Sequence, residues 1–166
     1  MSKKILVAYA STAGSTAEVA QSIAQTISEE EGYTAEAVNV KKVRDISDYD
    51  GIVLGSAIRM GRPLSEMNSF VKRNQQILAS KKVALFAVCL ALMEDTPEKR
   101  KEASVYLDSL KTMVTPVAEE VFAGKMDSGK LGFFGKMMIR MVKSPEGDYR
   151  NWEKIGAWAK EVKGNL

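Results

Sequence analysis

The chain has 166 residues, of which 45% are apolar, and carries a formal net charge of +3. This length suits one globular domain over residues 1–166, and so small a charge does not indicate a nucleic-acid partner. The sequence contains no histidine, which excludes imidazole as a base or metal ligand and excludes a Ser/His/Asp triad, and no other residues have metal-ligand spacing.

The first predicted elements are a buried strand and an amphipathic helix. Apolar residues run without a break from Ile5 to Ala10, as in a parallel strand covered on both faces. From Val19 to Ile27 the apolar residues recur at helical spacing. A strand, a short turn and a helix in this order begin an α/β sheet.

The turn between them consists of small and hydroxyl-bearing residues: Ser11, Thr12, Ala13, Gly14, Ser15 and Thr16. Backbone N–H groups, hydroxyl donors and the positive end of a helix could together bind a phosphate there. The turn has neither the Walker lysine nor a G-x-G-x-x-G pattern, which favours a single phosphate monoester. Ser15 and Glu18 also have the spacing of a capping box, which would start the helix without a ligand, so both interpretations stay open.

The rest of the chain alternates strands with helices. Gly32 is expected to end the first helix, Thr96 to cap a later helix, and Pro97 to occupy that helix's first turn. The predicted strands are 34–40 at an edge, 51–57, 82–90 and 116–124, and the predicted helices are 65–79, 97 to about 113, and 152–162. Such alternation predicts βαβ crossovers and a parallel sheet.

Three loops are expected at one edge of this sheet. In parallel sheets, ligands bind beyond the carboxyl ends of the strands, where the strand order reverses. The loops at that edge would be 11–16, 56–63 and 90–96, which are rich in small, polar or flexible residues.

These residues resemble the flavodoxin-like family, through S-T-A-G-S-T after the first strand, Tyr49-Asp50 before the next buried strand, and G-S-A at that strand's end. The resemblance implies a three-layer α/β sandwich with a five-stranded parallel sheet in the order 2-1-3-4-5, and FMN as cofactor. It assigns the FMN phosphate to residues 11–16, with one hydroxyl contact missing at Ala13.

The resemblance also places the flavin ring between the two later loops. Neither loop contains the aromatic residues that electron-carrying members usually stack on the ring. The ring-binding candidates are Ser56, Ala57, Ile58, Arg59, Met60 and Gly61 in one loop, and Leu90, Ala91, Leu92 and Met93 in the other. Arg59 is a candidate catalytic cation. Arg59 and Arg62 could equally be surface arginines that contact only solvent.

A narrower resemblance is to the flavodoxin-like, quinone-dependent protoporphyrinogen IX dehydrogenases. It rests on G-S-A-I-R-M-G at 55–61, P-E-K-R at 97–100, and a basic insertion at about 125–150 before a terminal helix with tryptophan. It implies an FMN-dependent oxidoreductase that passes electrons from an organic substrate to a quinone or similar acceptor. The alternatives are a flavodoxin-type electron carrier and a flavin-free interaction domain.

Within the insertion, residues 133–143 form a basic amphipathic pattern when placed on a helix. This pattern suits docking on the domain itself, peripheral contact with a membrane or quinone, or a partner or oligomer interface. No segment has the length and apolarity of a spanning helix, so we expect a cytoplasmic protein, with peripheral contact at the inner face of the membrane as an option. Cys89, the only cysteine, is expected to be a buried structural thiol rather than a reactive one.

Overall fold

The structure, a computed structural model, describes residues 2–126 and 147–166. Its elements in chain order are β1 (Lys3–Ala10), α1 (Ser15–Ser28), β2 (Tyr33–Asn39), β3 (Gly51–Arg59), β4 (Arg62–Pro63), α2 (Ser65–Leu78), β5 (Lys82–Cys89), a 3₁₀ turn (Leu90–Met93), α3 (Pro97–Ala103), α4 (Asp108–Lys111), β6 (Ala118–Ala123), β7 (Lys125–Met126), β8 (Gly147–Asp148) and α5 (Trp152–Lys163).

The five long strands form one parallel sheet in the order β2-β1-β3-β5-β6. Counted along the chain, these long strands have the predicted order 2-1-3-4-5, so the predicted fold class is confirmed. Strand β2 lies at an edge, as its alternating sequence predicts. The short β4 pairs with β3 in antiparallel orientation, and β7 and β8 form a separate antiparallel ladder.

Helices cover both faces of the sheet and bury alternate residues of its strands. On one face, Ile5 and Val7 of β1 pack in a cluster with side chains of α1 and α5. On the other face, Leu6 and Ala8 pack with side chains of α2 and of the segment that contains α4. Because both faces are buried, β1, β3 and β5 need the nearly continuous apolar sequences that identify them.

A cluster of three rings lies on the α1 and α5 face of the sheet. The ring of Phe86 packs against those of Phe122 and Trp158, with centroid separations of 6.2 and 6.1 Å, and Phe122 and Trp158 are 5.7 Å apart. Phe86 is fully buried and is the register partner of Gly55 in β3. The cluster therefore joins β3, β5, β6 and α5.

Two predicted elements differ from the structure. Strand β3 continues past Ala57 to Arg59 and turns into β4, so the predicted loop at 56–63 is largely a β-hairpin. The helix predicted from Pro97 to about Met113 is split into α3 and α4. The two halves pack in different places: Ala103 contacts a cluster with Cys89 and Leu92, whereas Leu110 enters the core beneath α2.

Candidate functional site

The three candidate loops follow β1, β3 and β5, which are neighbours in the sheet. Ala10 at the end of β1 pairs with Ser56, and Ala57 pairs with Val88 near the end of β5. This register brings the starts of all three loops to the carboxyl edge of the sheet. The three loops therefore begin at the same edge of the sheet, as predicted.

The loop after β1 ends in an open, left-handed glycine. Gly14 is the N-cap of α1 with φ 92°, and its N–H donates to Ser11 Oγ at 3.1 Å. A Cβ on Gly14 would meet no atom of the described residues within 4 Å, so these residues leave the space before the helix open. Only glycine adopts such a φ without strain, and it lets a ligand approach the main chain.

The capping-box interpretation of Ser15 and Glu18 is wrong. Ser15 is the first helical residue and Gly14 is the N-cap, and no side chain of residues 2–126 or 147–166 caps α1 with a hydrogen bond. The first helical hydrogen bond runs from the Glu18 N–H to the Gly14 carbonyl. Glu18 instead pairs with Arg150. Within the described part of the chain, the first-turn amides of α1 are thus available to another acceptor.

Thr16 supplies a test of whether this helix end fits a phosphate. Its side chain is fully buried, yet Oγ1 has no hydrogen-bond partner in the part of the chain that the structure describes. A buried polar atom without a partner destabilises a fold by about 1–3 kcal/mol. A phosphate oxygen at the end of α1 would accept from this hydroxyl and from the first-turn amides, so the residues present fit a phosphate group.

The candidate loop after β3 is a tight hairpin with an exposed tip. Met60 and Gly61 have φ of 54° and 76°, and positive φ at both central residues is the property of a type I′ turn. Met60 is 85% exposed, and Arg59 and Arg62 are register partners across the two strands. Sequence analysis missed the hairpin because Met-Gly is not one of the usual turn pairs.

Ser56 supports this hairpin from inside the protein. Its side chain is fully buried, and its hydroxyl donates to the Ala57 carbonyl at 2.8 Å and accepts from the Leu64 N–H at 2.9 Å. Both functions of the hydroxyl are therefore used in joining β3 to the start of α2. Ala57 and Ile58 are partly exposed beside it.

The candidate loop after β5 is a 3₁₀ turn of mixed exposure. Leu92 is 2% exposed and packs with Cys89 and Ala103, while Leu90, Ala91 and Met93 are partly exposed. Leu92 therefore anchors the turn to the core. Cys89 is buried as predicted, and burial raises the pKa of its thiol, which keeps it protonated at neutral pH.

A cavity of about 570 Å³ lies between the hairpin, the start of α2 and the turn before α4. Its lining includes the cation of Arg62, the ring of Tyr106, the apolar side chain of Val105, and the polar residues Ser65 and Asn68. No carboxylate lines this cavity among the described residues. The lining suits an organic molecule with a negatively charged group.

An ion-pair network holds the segment that follows the 3₁₀ turn. Asp95 accepts two hydrogen bonds from Arg100, at 2.7 and 2.8 Å, and one from Lys154 of α5 at 2.8 Å. Arg100 also donates to Glu120 of β6 at 3.0 Å. The cap of α3 is Thr96, whose hydroxyl accepts from the Lys99 N–H as predicted.

The hydrogen bonds from Arg100 and Lys154 lower the pKa of Asp95 to about 2, from 3.8 for an unperturbed Asp. A carboxyl group whose pKa is lower in the folded state than in the unfolded state stabilises the fold at pH values above the unfolded-state pKa. This contribution disappears as the pH falls from about 4 to 2. Because Asp95 is 36% exposed, we expect only about 0.5–1 kcal/mol from it. Urea denaturation should find Asp95→Asn less stable than wild type at pH 5 and nearly equal at pH 2. A difference that stays constant over this range would contradict the assignment.

A second ion cluster ties the start of α1 to the segment after β8. Arg150 donates to Asp148 through Nε and Nη2, at 2.9 and 2.8 Å, and to Glu18 Oε2 through Nη1 at 2.7 Å. The side-chain bonds from Arg150 lower the pKa of Asp148 to about 2. Sequence reasoning missed this cluster because 132 positions separate Glu18 from Arg150.

The amphipathic pattern at 133–143 lies outside the described residues. Within residues 2–126 and 147–166, no helix is long and apolar enough to cross a membrane. Over the same residues, no group of three or more Cys, Asp or Glu side chains could hold a metal ion.

Comparison with known proteins places the chain in a family. Residues 6–152 match the family model of the flavodoxin domain. The chain is 25% identical over 173 residues to the protoporphyrinogen IX dehydrogenase [quinone] of Escherichia coli strain K12, covering 96% of this chain and 94% of that protein. A protein of the same name from Leishmania major is 24% identical over 174 residues, covering 96% of this chain and 74% of that protein.

Solved structures of flavodoxins have the same fold. The oxidised flavodoxin 1 of Bacillus cereus has a TM-score of 0.60 and 20% identity. The Fusobacterium nucleatum flavodoxin bound to flavin mononucleotide has a TM-score of 0.60 and 16% identity. Each comparison covers 99% of both chains. Together with the match over residues 6–152, these findings confirm the predicted resemblance: the chain belongs to the flavodoxin domain family.

Proposed function

We propose that this chain is an FMN-dependent oxidoreductase that passes electrons from an organic substrate to a quinone or similar acceptor. The observation that carries the proposal is similarity over the whole domain to proteins named protoporphyrinogen IX dehydrogenase [quinone], which covers 94% of the Escherichia coli protein. The F. nucleatum flavodoxin, which shares the fold, is bound to flavin mononucleotide. FMN is therefore the cofactor that we propose.

The phosphate of FMN would be held at the N-terminus of α1. Hydroxyls and main-chain N–H groups of Ser11, Thr12, Gly14, Ser15 and Thr16 would surround it, and Ala13 would contribute main chain only. Three observations on the described residues support this placement: the helix end has no side-chain cap, the space at Gly14 is open, and the Thr16 hydroxyl has no hydrogen-bond partner. A phosphate there would also gain from the helix dipole.

The flavin ring would lie between the β3–β4 hairpin and the 3₁₀ turn. Apolar side chains of Ile58, Met60 and Met93 are available to cover it by dispersion contacts, in place of aromatic stacking. Bound FMN supplies the electron-transfer chemistry that the protein's own side chains lack. The hairpin cations Arg59 and Arg62 would stabilise negative charge that develops nearby.

The substrate would enter beside the hairpin. The cavity lined by Arg62, Val105 and Tyr106 combines a cation with an apolar wall and an aromatic ring. This combination favours a largely apolar substrate that carries a carboxylate. Gly61 lines this cavity, and its neighbour Met60 is the exposed tip of the hairpin.

Titration with FMN tests the cofactor assignment. We expect the purified protein to quench FMN fluorescence and to gain thermal stability, because a ligand that binds only the folded state raises its stability. A protein whose thermal midpoint and FMN fluorescence stay unchanged would exclude flavin chemistry and favour the flavin-free interaction domain.

The second candidate is an electron carrier without a substrate of its own. The full-length likeness to flavodoxin structures favours it. Carriers of this kind are usually acidic, whereas this chain has a net charge of +3.

Anaerobic mixing of the FMN-loaded protein with protoporphyrinogen, followed by addition of a quinone, separates the candidates. Bleaching of the flavin absorbance by the porphyrinogen and its return with quinone are expected of the enzyme, and no bleaching is expected of the carrier.

We further propose that the basic segment 133–143 contacts a membrane surface on which the quinone is available. Its sequence combines apolar residues with lysine and arginine, which suits anionic headgroups. Flotation with vesicles containing anionic lipid should weaken when Met137 and Met141 are both changed to Asp. Equal flotation of both proteins, or none, would count against membrane contact and favour docking on the domain or on a partner.

A further inference from the structure

Arg150 is a charged side chain with little access to water. Its side chain is only 4% exposed, and it follows directly after the β7–β8 ladder. A buried cation requires partners, because removing a charge from water destabilises a fold unless opposite charges replace the hydration. The partners that this structure provides are Glu18 and Asp148.

The contacts fix the orientation of the guanidinium. Two of its nitrogens donate to the two oxygens of Asp148, and its Cζ lies over the Trp152 ring, 4.6 Å from the ring centroid. The remaining edge, through Nη1, points to Glu18 Oε2 at 2.7 Å. Bidentate, charge-assisted bonds are strong and directional, so Arg150 constrains where the Glu18 carboxylate can lie.

Glu18 lies one helical turn from the proposed phosphate site. It is the fourth residue of α1, and it stands on the same side of the helix as Gly14, four positions earlier. Side chains on a helix lean towards its N-terminus. A carboxylate here favours the helix but repels a phosphate dianion at the same helix end.

We propose that Arg150 is a positioning residue for the phosphate of FMN. Arg150 draws the Glu18 carboxylate away from the phosphate site and offsets the negative charge of that carboxylate. This inference rests on the proposed function, in which the phosphate binds at the N-terminus of α1. The cation comes from the segment that follows residue 146, so the chain segments on either side of residues 127–146 complete one anion site together.

The test compares two flavins that differ in the phosphate. Affinities for FMN and for riboflavin, which lacks the phosphate, are measured by fluorescence quenching at low and high salt. Arg150→Met should weaken FMN binding about tenfold at low salt and riboflavin binding less than twofold. Because salt screens charges, the FMN effect should shrink in 0.5 M salt. Arg73→Met, on the opposite helical layer, makes the same change in net charge and should leave both affinities unchanged.

A second substitution separates charge from structure. Adding Glu18→Gln to Arg150→Met removes the repelling carboxylate and should return FMN affinity to within about threefold of wild type. Equal losses for FMN and riboflavin, or no rescue by Glu18→Gln, would overturn the proposal. If Arg150→Met does not fold, Glu18→Gln alone should bind FMN several-fold more tightly at low salt, and unchanged FMN affinity would overturn the proposal.

Wild type distinguishes failure of this inference from failure of the proposed function. A wild-type protein that binds no FMN removes the cofactor assignment itself. If the wild-type protein binds FMN but the variants lose affinity equally for FMN and riboflavin, only the proposed role of Arg150 is contradicted.

Discussion

Replacing Gly55 with alanine is expected to destabilise the protein by about 3 kcal/mol or more, which is at the upper end for overpacking a core. A Cβ on Gly55 would lie 1.9 Å from Phe86 Cζ and 2.1 Å from Phe86 Cε1, far inside van der Waals contact. The Phe86 ring cannot withdraw easily, because it is fully buried against Phe122 and Trp158. Urea denaturation measures the loss.

The matched control is the same substitution in a helix. Gly156 lies within α5, and a Cβ there would meet no atom of the described residues within 4 Å. Gly156→Ala should therefore stabilise the protein by about 0.5–1 kcal/mol through helix propensity. Combining Gly55→Ala with Phe86→Leu should recover part of the loss, because the smaller side chain makes room. Strictly additive effects of these two substitutions would contradict the proposed clash.

Replacing Thr16 with valine is expected to separate cofactor binding from stability. The Thr16 hydroxyl is buried without a partner among the described residues, so valine, of similar shape, should leave the protein without cofactor as stable as wild type or more so. FMN binding should weaken by about 1.5–3 kcal/mol, the value of a hydrogen bond to a charged group. Fluorescence titration and thermal denaturation measure the two effects.

Two comparisons make this result specific. Riboflavin affinity should not change, because the lost hydrogen bond is made to the phosphate. Thr26→Val, which makes the same change further along α1, should leave FMN affinity as it is. If Thr16→Val binds FMN as tightly as wild type, the phosphate does not contact this hydroxyl.

The layered fold could be predicted from the sequence because its signals are local. Continuous apolar runs identify β1, β3 and β5, and helical spacing identifies α1, α2 and α5. The strand order was not available from the pattern itself and came from the family resemblance. Residues at the ends of the strands were placed correctly at one edge because the carboxyl ends of parallel strands always meet there.

The site details that escaped prediction depend on distant contacts. Nothing near Arg150 in the sequence indicates that it reaches Glu18 across 132 positions, and nothing near Asp95 indicates Lys154. Local patterns also misled: Ser15 and Glu18 have the spacing of a capping box, but Gly14 with its left-handed φ is the N-cap instead. The G-S-A motif is another example, because Gly55 is required by the Phe86 ring and Ser56 by the Leu64 amide.

The β7–β8 ladder has a consequence for how this family can diversify. Met126 pairs with Gly147 in an antiparallel ladder, so the two ends of the intervening chain segment lie about 5 Å apart. The entropic cost of closing a loop between two such neighbouring strands rises by only about 0.6 kcal/mol with each doubling of the loop length. A longer or shorter segment between Met126 and Gly147 is therefore compatible with the same sheet and the same three edge loops.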